Sequence, residues 1–273
     1  MAAAEINGTT LEYWESGTGV PVFFVHGSLA DLRSWHRQRG PFSRHYRAIG
    51  YSRRGHYPNT AAHAGSGYSA ALHAADLAAL IRCLAAEPVH IVASSFGAYI
   101  ALVLAVRQPA LVRSLVLGEP PLFPWLEEIP GGAPLLASFM KDAWVPAQRA
   151  FREGRPEEGI RCFLDGVLGP GGFDAMSASA RSGILDNAPE MALEASSDGL
   201  FTPLPREEVK KLSLPVLLLG GEKSRPIFSP ILSELARCLP RSCRGTIPGS
   251  SHTFHIENPV AYNAAVLGFL GKN

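Results

Sequence analysis

The sequence has almost no excess of charge of either sign and no long hydrophobic run. Its 273 residues include 25 Lys and Arg against 24 Asp and Glu, which gives a formal net charge of +1. Such a balance provides no strong field to hold a nucleic acid or an anionic membrane. The longest apolar runs, 98–106 and 212–221, are about ten residues long, whereas roughly 20 are needed to span a bilayer. The composition therefore predicts no nucleic-acid partner and no membrane partner.

Cysteine is scarce, and the motifs of metal and cofactor sites are missing. The four cysteines form no C-x-x-C pair, and the six histidines from His36 to His90 form no H-x-x-H or H-E-x-x-H pattern. No glycine-rich phosphate loop occurs. We therefore expect no disulfide, no metal and no cofactor. The segment Met1–Glu5 lacks a basic stretch followed by an apolar core, so a cytoplasmic location is expected.

The residues that are present follow the pattern of an α/β protein. Uninterrupted apolar runs such as 21–26 and 89–93 alternate with Ala- and Leu-rich stretches at helical spacing, of which 69–84 is the longest. This alternation predicts a mostly parallel sheet flanked by helices. The segment Leu11–Glu15 alternates polar and apolar residues and predicts a half-exposed edge strand.

The pattern changes after Glu119, where seven prolines and glycines fall within fifteen residues. Strand signals then stop until Leu214, and amphipathic helical stretches take their place. We predict a sheet core made of residues 1–120 and 206–273. Residues 121–205 are predicted to form a helical cap inserted between its two parts.

Ser95 has the context of a nucleophile elbow. The predicted strand 89–93 runs into Ser94-Ser95-Phe96-Gly97 and then into a helix. The strained turn needs small residues two before and two after the nucleophile, and Ala93 and Gly97 meet that need. Ser94 does not, because Phe96 would occupy its second small position. The structural alternative for Ser95 is a helix N-cap.

With this elbow, the sequence resembles the α/β-hydrolase family over nearly its whole length. The resemblance also rests on Val25-His26-Gly27-Ser28, on the loop 51–56 with its Arg-Arg-Gly, and on 248–252 followed by Glu257-Asn258-Pro259. It implies an eight-stranded-type, mostly parallel sheet with a helical cap. It further implies that Ser95 is the nucleophile, that His252 is the base, and that the main-chain N–H groups of Ser28 and Phe96 form the oxyanion hole.

The sequence signal for the acid of a catalytic triad is less direct. The family usually carries an Asp in a G-x-x-D pattern after the seventh strand, but Gly221-Glu222-Lys223-Ser224 has a serine there. Glu119 ends the sixth strand, beside the nucleophile's strand, and some family members carry their acid at this place. We predict that Glu119 orients His252. Glu222 remains an alternative, as does a weaker dyad with Ser224 or water in place of the acid.

These residues predict a serine hydrolase that acts on a small to medium, mostly apolar ester or lactone. Its partner is a small-molecule substrate, and the chain is expected to be a monomer or a homodimer. Alternatives are a hydrolase of carbon–carbon bonds, perhydrolase or cofactor-independent oxygenase chemistry, and a non-catalytic ligand-binding relative. Candidate residues of the substrate pocket are Trp35, Phe123, Trp125, Phe139 and Trp144.

Overall fold

A computed structural model describes residues 1–59, 67–86 and 88–273; His63 lies outside the described residues. It contains one sheet of eight strands in the order β1-β2-β4-β3-β5-β6-β7-β8. The pairs β1–β2 and β2–β4 are antiparallel, and the others are parallel. The predicted fold class is therefore confirmed. The strands are β1 (Ala2–Ile6), β2 (Thr9–Ser16), β3 (Pro21–Val25), β4 (Arg47–Tyr51), β5 (Val89–Ser94), β6 (Val112–Gly118), β7 (Val216–Gly221) and β8 (Ser242–Ile247).

Helices cover both faces of the sheet and fill the segment between β6 and β7. No helix among the described residues is long and apolar enough to cross a membrane. A π-helical turn, Met140–Trp144, joins α4 to α5. The α-helices are α1 (His36–Ser43), α2 (Ala70–Leu84), α3 (Phe96–Arg107), α4 (Gly132–Phe139), α5 (Val145–Arg152), α6 (Pro156–Leu168), α7 (Ala178–Leu185), α8 (Ala188–Ser196), α9 (Arg206–Val209), α10 (Phe228–Cys238), α11 (Phe254–Glu257) and α12 (Pro259–Leu270).

The central strands divide the core between the two faces of the sheet. Every residue of β3 and β5 is buried, as the uninterrupted apolar runs predict for strands covered on both sides. Because successive side chains point to opposite faces, Phe23 belongs to the core beneath α2 and α3, whereas its neighbour Phe24 packs with Trp35 and Phe42 on the other face.

The N-terminal edge differs from the prediction. The strand containing Leu11–Glu15 is not an edge strand, because it pairs with β1 on one side and with β4 on the other. Strand β1 is rich in alanine, which has a low strand propensity, and it is held by its partner strand. The Asn7-Gly8 turn, with φ of 47° and 72°, is the sequence signal for this hairpin.

All regular elements between β6 and β7 are helices. Helices α4 to α8 lie within residues 121–205, the segment for which the cap is predicted. Helix α5 packs against α6 and α8, and α4 packs against the short 3-10 helix Phe123–Glu127. We call residues 121–205 the insertion below.

Candidate active site

Ser95 lies at a sharp turn between β5 and α3. Its backbone has φ 54° and ψ −128°, in a region that a non-glycine residue rarely occupies. Its N–H donates a 2.7 Å hydrogen bond to Gly118 O on the neighbouring strand. A Cβ on Gly97 would lie 2.3 Å from His26 O, so the turn requires glycine there. Strain of this kind clusters at functional sites, and it exposes the serine at the carboxyl edge of the sheet.

Glu119 follows β6 directly and contacts His252. Its Oε2 lies 2.6 Å from His252 Nδ1, and its Oε1 accepts a 2.9 Å hydrogen bond from the N–H of Gly221. Both side chains are buried, with 1% of Glu119 and 5% of His252 exposed. When Nδ1–H donates a hydrogen bond to the Glu119 carboxylate, the neutral imidazole has its lone pair at Nε2. Within the described residues, Nε2 has no hydrogen-bond partner, so it is free to accept a proton.

The alternative acids do not reach the imidazole. Glu222 is exposed, and its Oε2 accepts a 2.6 Å hydrogen bond from the N–H of Gly249, which steadies the loop before His252. Ser224 Oγ has no hydrogen-bond partner in the described part of the chain. The carboxylate in contact with His252 is therefore that of Glu119, at the end of the sixth strand.

The loop Gly27–Ser28 lies against the nucleophile. A Cβ on Gly27 would stand 2.8 Å from Ser95 Cβ. His26 fixes this loop: its Nδ1 donates to Gly27 O at 2.9 Å, and its Nε2 accepts from the Arg53 N–H at 2.9 Å. Over the described residues, neither the Ser28 nor the Phe96 main-chain N–H donates a hydrogen bond. These two amides have the chemistry of an oxyanion hole.

Arg53 holds the same loop through hydrogen bonds to its main chain. Its guanidinium is buried and donates to His26 O at 3.2 Å and to Gly27 O at 3.1 Å. Burial lowers the pKa of His26 well below its usual range, and the nearby His56 and Arg53 lower it further. The neutral imidazole that results matches the donor and acceptor roles of its two nitrogens.

A cavity of about 350 Å³ opens next to Ser95. Ser28, Ser95 and Phe96 form its floor, and Phe228 of α10, whose ring stacks on His252 at 4.4 Å, forms part of its wall. The remaining lining residues all come from the insertion: Pro121, Phe123, Pro124, Glu127, Leu136, Phe139, Met140, Trp144, Phe163, Val167, Glu194 and Phe201.

Three of the five predicted pocket residues line this cavity, namely Phe123, Phe139 and Trp144. The prediction for Trp35 is wrong, because its ring packs between Phe24 and His255 in the core on the far face of the sheet. The prediction for Trp125 is also wrong. Its indole N–H donates to Leu204 O at 2.9 Å, and the Arg206 guanidinium covers its ring at 4.8 Å.

Residues 20–259 match the family model of the alpha/beta hydrolase fold. The chain belongs to the alpha/beta hydrolase fold family. It is 27% identical to a non-heme haloperoxidase of Rhodococcus erythropolis, with 97% of each chain aligned. Among solved structures, it resembles Est816, described as an N-acyl homoserine lactone degrading enzyme, with a TM-score of 0.78, 21% identity and 98% and 100% of the two chains covered. A thermophilic esterase from Thermogutta terrifontis gives a TM-score of 0.77 at 24% identity, covering 100% and 99%.

This member of the alpha/beta hydrolase fold family also buries two carboxyl groups that sequence reasoning missed. Glu190 and Glu194 lie one turn apart on α8 and are almost fully buried. Burial raises the pKa of Glu190 to about 8, opposed by Arg53. Burial and then the neighbouring Glu190 raise the pKa of Glu194 to about 8, opposed by Arg53 and Ser28. The sequence signal is two glutamates four residues apart in an apolar helix, which places both on one face.

Glu190 contacts a histidine rather than the cavity. His56 Nδ1 donates to Ala30 O at 2.7 Å, and its Nε2 lies 2.8 Å from Glu190 Oε1. Burial, aided by Arg53, lowers the pKa of His56 well below its usual range. His56 Nε2 and Glu190 Oε1 are therefore in contact, but neither atom makes a hydrogen bond within the described residues.

Proposed function

We propose that this protein is a serine hydrolase that cleaves a small to medium, mostly apolar ester or lactone through an acyl-enzyme. The observation that carries the proposal is the 2.6 Å contact between Glu119 and His252 at the same edge of the sheet as the strained Ser95. A serine hydroxyl is a poor nucleophile until a base takes its proton, and a buried carboxylate on Nδ1 keeps the imidazole in the tautomer that can do so.

In the proposed reaction, His252 Nε2 takes the proton of Ser95 as its Oγ attacks the substrate carbonyl carbon. The Ser28 and Phe96 N–H groups donate hydrogen bonds to the oxyanion that forms. The C–O bond to the alcohol then breaks, and His252 returns the proton to the departing oxygen. Water, deprotonated by His252, then attacks the acyl carbon; the bond from that carbon to Ser95 Oγ breaks, His252 returns the proton to Oγ, and the acid is released. In a lactone, the departing alcohol stays attached to the acyl group.

The apolar cavity supports the substrate class. Most of its lining side chains are aromatic or aliphatic, and its volume of about 350 Å³ suits a small to medium molecule. Because the wall comes almost wholly from the insertion, we assign the insertion the role of a cap that shapes specificity. The lactone-degrading enzyme and the esterase that share this fold act on the bond classes proposed for this chain.

The experiment is covalent labelling with a fluorophosphonate probe, mapped by mass spectrometry, together with turnover of p-nitrophenyl esters and of a γ-lactone. We expect one adduct, on Ser95, and loss of both labelling and turnover in Ser95→Ala. Ser94→Ala is the matched control, because Ser94 is the adjacent buried serine at the end of β5, and it should keep both. Hydrolysis retained by Ser95→Ala would overturn the proposal. Preferred cleavage of a vinylogous diketone would instead favour a carbon–carbon bond hydrolase.

A further inference from the structure

Glu194 is the only carboxyl in the described part of the chain that is both buried and in the wall of the cavity beside Ser95. Its Oε1 lies 2.6 Å from the hydroxyl Oγ of Ser28, the residue whose main-chain N–H is proposed to hold the oxyanion. The two side chains come from different parts of the chain, one from the insertion and one from the sheet core. They form a polar pair, Ser28 and Glu194, on the oxyanion side of an otherwise apolar pocket.

The Ser28–Glu194 pair can form further hydrogen bonds. Glu194 Oε2 has no hydrogen-bond partner among the described residues. Buried polar atoms are normally paired, so an unpaired carboxyl oxygen on a residue that lines the cavity points to a ligand group. Since burial raises the pKa of Glu194 to about 8, the carboxyl is mostly neutral at pH 7 and can both donate and accept.

The other groups around the cavity narrow the chemistry of that ligand. No lysine, arginine or histidine is among the described residues that line the cavity, so an anionic substrate would meet no cation there. Arg53 binds the main chain of the oxyanion loop and is covered by it. Glu127, the other carboxyl of the wall, is exposed at its rim. The pocket therefore suits a neutral substrate with one polar group near the carbonyl.

We propose that the Ser28 hydroxyl and the Glu194 carboxyl bind a hydroxyl group on the carbon next to the scissile carbonyl. The protein thus selects neutral 2-hydroxy esters or lactones over those with a methyl group at that carbon. We place the hydroxyl there because the proposed reaction assigns the Ser28 main-chain N–H to the carbonyl oxygen, while the Ser28 side chain contacts Glu194. This proposal rests on the proposed hydrolysis and names the substrate class of the same site.

The test compares p-nitrophenyl 2-hydroxypropanoate with p-nitrophenyl 2-methylpropanoate at pH 7. The two differ only by a hydroxyl in place of a methyl group. The measured quantity is the ratio of their kcat/KM values, compared between variants so that their intrinsic reactivities cancel. We expect the ratio to fall about tenfold in Glu194→Leu, the size of one lost hydrogen bond in a buried site. Glu194→Gln, which keeps a donor and an acceptor, should retain most of the ratio.

Glu190→Gln is the matched control, because Glu190 lies one turn away on α8, is equally buried and does not line the cavity. Because the Glu190 charge contributes to the raised pKa of Glu194, the control is also measured at pH 6, where burial keeps Glu194 protonated without it; it should keep the wild-type ratio there. A ratio in Glu194→Leu within twofold of wild type, or an equal fall in Glu190→Gln, would overturn the proposal. If Glu194→Leu does not fold, Ser28→Ala carries the comparison, since it keeps the main-chain N–H; a fall of about threefold supports the proposal and no fall overturns it. Absence of any ester or lactone turnover would instead count against the proposed hydrolysis.

Discussion

The carboxylate of Glu119 is held between two donors, Gly221 N–H and His252 Nδ1, at 2.9 and 2.6 Å. The first hydrogen bond ties the end of β6 to β7 and fixes the longer glutamate side chain in one position. The second fixes the imidazole. A glutamate has one more methylene than the aspartate common in this family, and the main-chain bond from β7 removes the freedom that the methylene adds. In the proposed mechanism, Glu119 thereby positions His252 in place of a residue of the 221–224 loop.

Glu119→Gln should lower kcat for p-nitrophenyl esters by roughly 10³- to 10⁴-fold, because the amide no longer favours the Nδ1–H tautomer of His252. The protein should remain folded, since glutamine keeps an oxygen to accept from Gly221. Glu222→Gln is the control. Glu222 holds the main chain at Gly249, so its replacement should change kcat by only a few-fold. The measurement is steady-state kinetics beside circular dichroism. If Glu222→Gln instead lowered kcat far more than Glu119→Gln, the catalytic acid would lie after the seventh strand.

Local patterns predicted the sheet and the sharp turn at Ser95 because their signals lie close together in the sequence. The apolar runs of β3 and β5 and the small residues around Ser95 are each contained within a few positions. The contact between Glu119 and His252 joins residues 133 positions apart. It was predictable only because the ends of adjacent parallel strands meet at one edge of the sheet.

Side chains whose surroundings depend on packing were harder to predict. Trp35 and Phe123 are both aromatic residues that follow strands, yet one packs beneath the sheet and the other lines the cavity. Nothing in their neighbours distinguishes them. Glu194 was missed because its partner Ser28 is 166 residues away, and a glutamate on a helix is ordinarily exposed to solvent.

Glu190→Gln should make stability less dependent on pH between about 6.5 and 8. The folded pKa values of Glu190 and Glu194 are both about 8, above the ordinary 4.5, so the native state binds more protons than the unfolded chain in this window. The free energy of unfolding therefore falls as pH rises, by up to about 1.4 kcal/mol per pH unit for each group. Burial lowers the pKa values of His26, His56 and His73. Below about pH 6.5 the unfolded chain therefore binds protons at these histidines that the native state does not, and the free energy of unfolding falls as pH falls.

The measurement is urea unfolding of wild type and Glu190→Gln at pH 6.5, 7.25 and 8. Glutamine has nearly the shape of glutamate but cannot ionise, so the slope against pH should become shallower. Replacing Glu190 also removes the negative charge that contributes to the raised pKa of Glu194. Exposed Glu222→Gln should leave the wild-type slope in place. Identical slopes in wild type and Glu190→Gln would contradict a raised pKa of Glu190.

Trp144→Ala should shift the preference of the enzyme toward longer acyl chains. Trp144 lines the cavity from the π-helical turn between α4 and α5, and its ring lies 5.8 Å from Phe163, which also lines the cavity. Removing the indole opens that wall. The kcat/KM ratio of p-nitrophenyl octanoate to butanoate should rise about tenfold, the effect of burying about two of the four additional methylenes at about 0.8 kcal/mol each. Trp125→Phe is the control, because Trp125 lies outside the cavity wall and its replacement should leave the ratio unchanged. An equal rise in both variants would mean that loosening of the insertion, rather than the space vacated by Trp144, admits the longer chain.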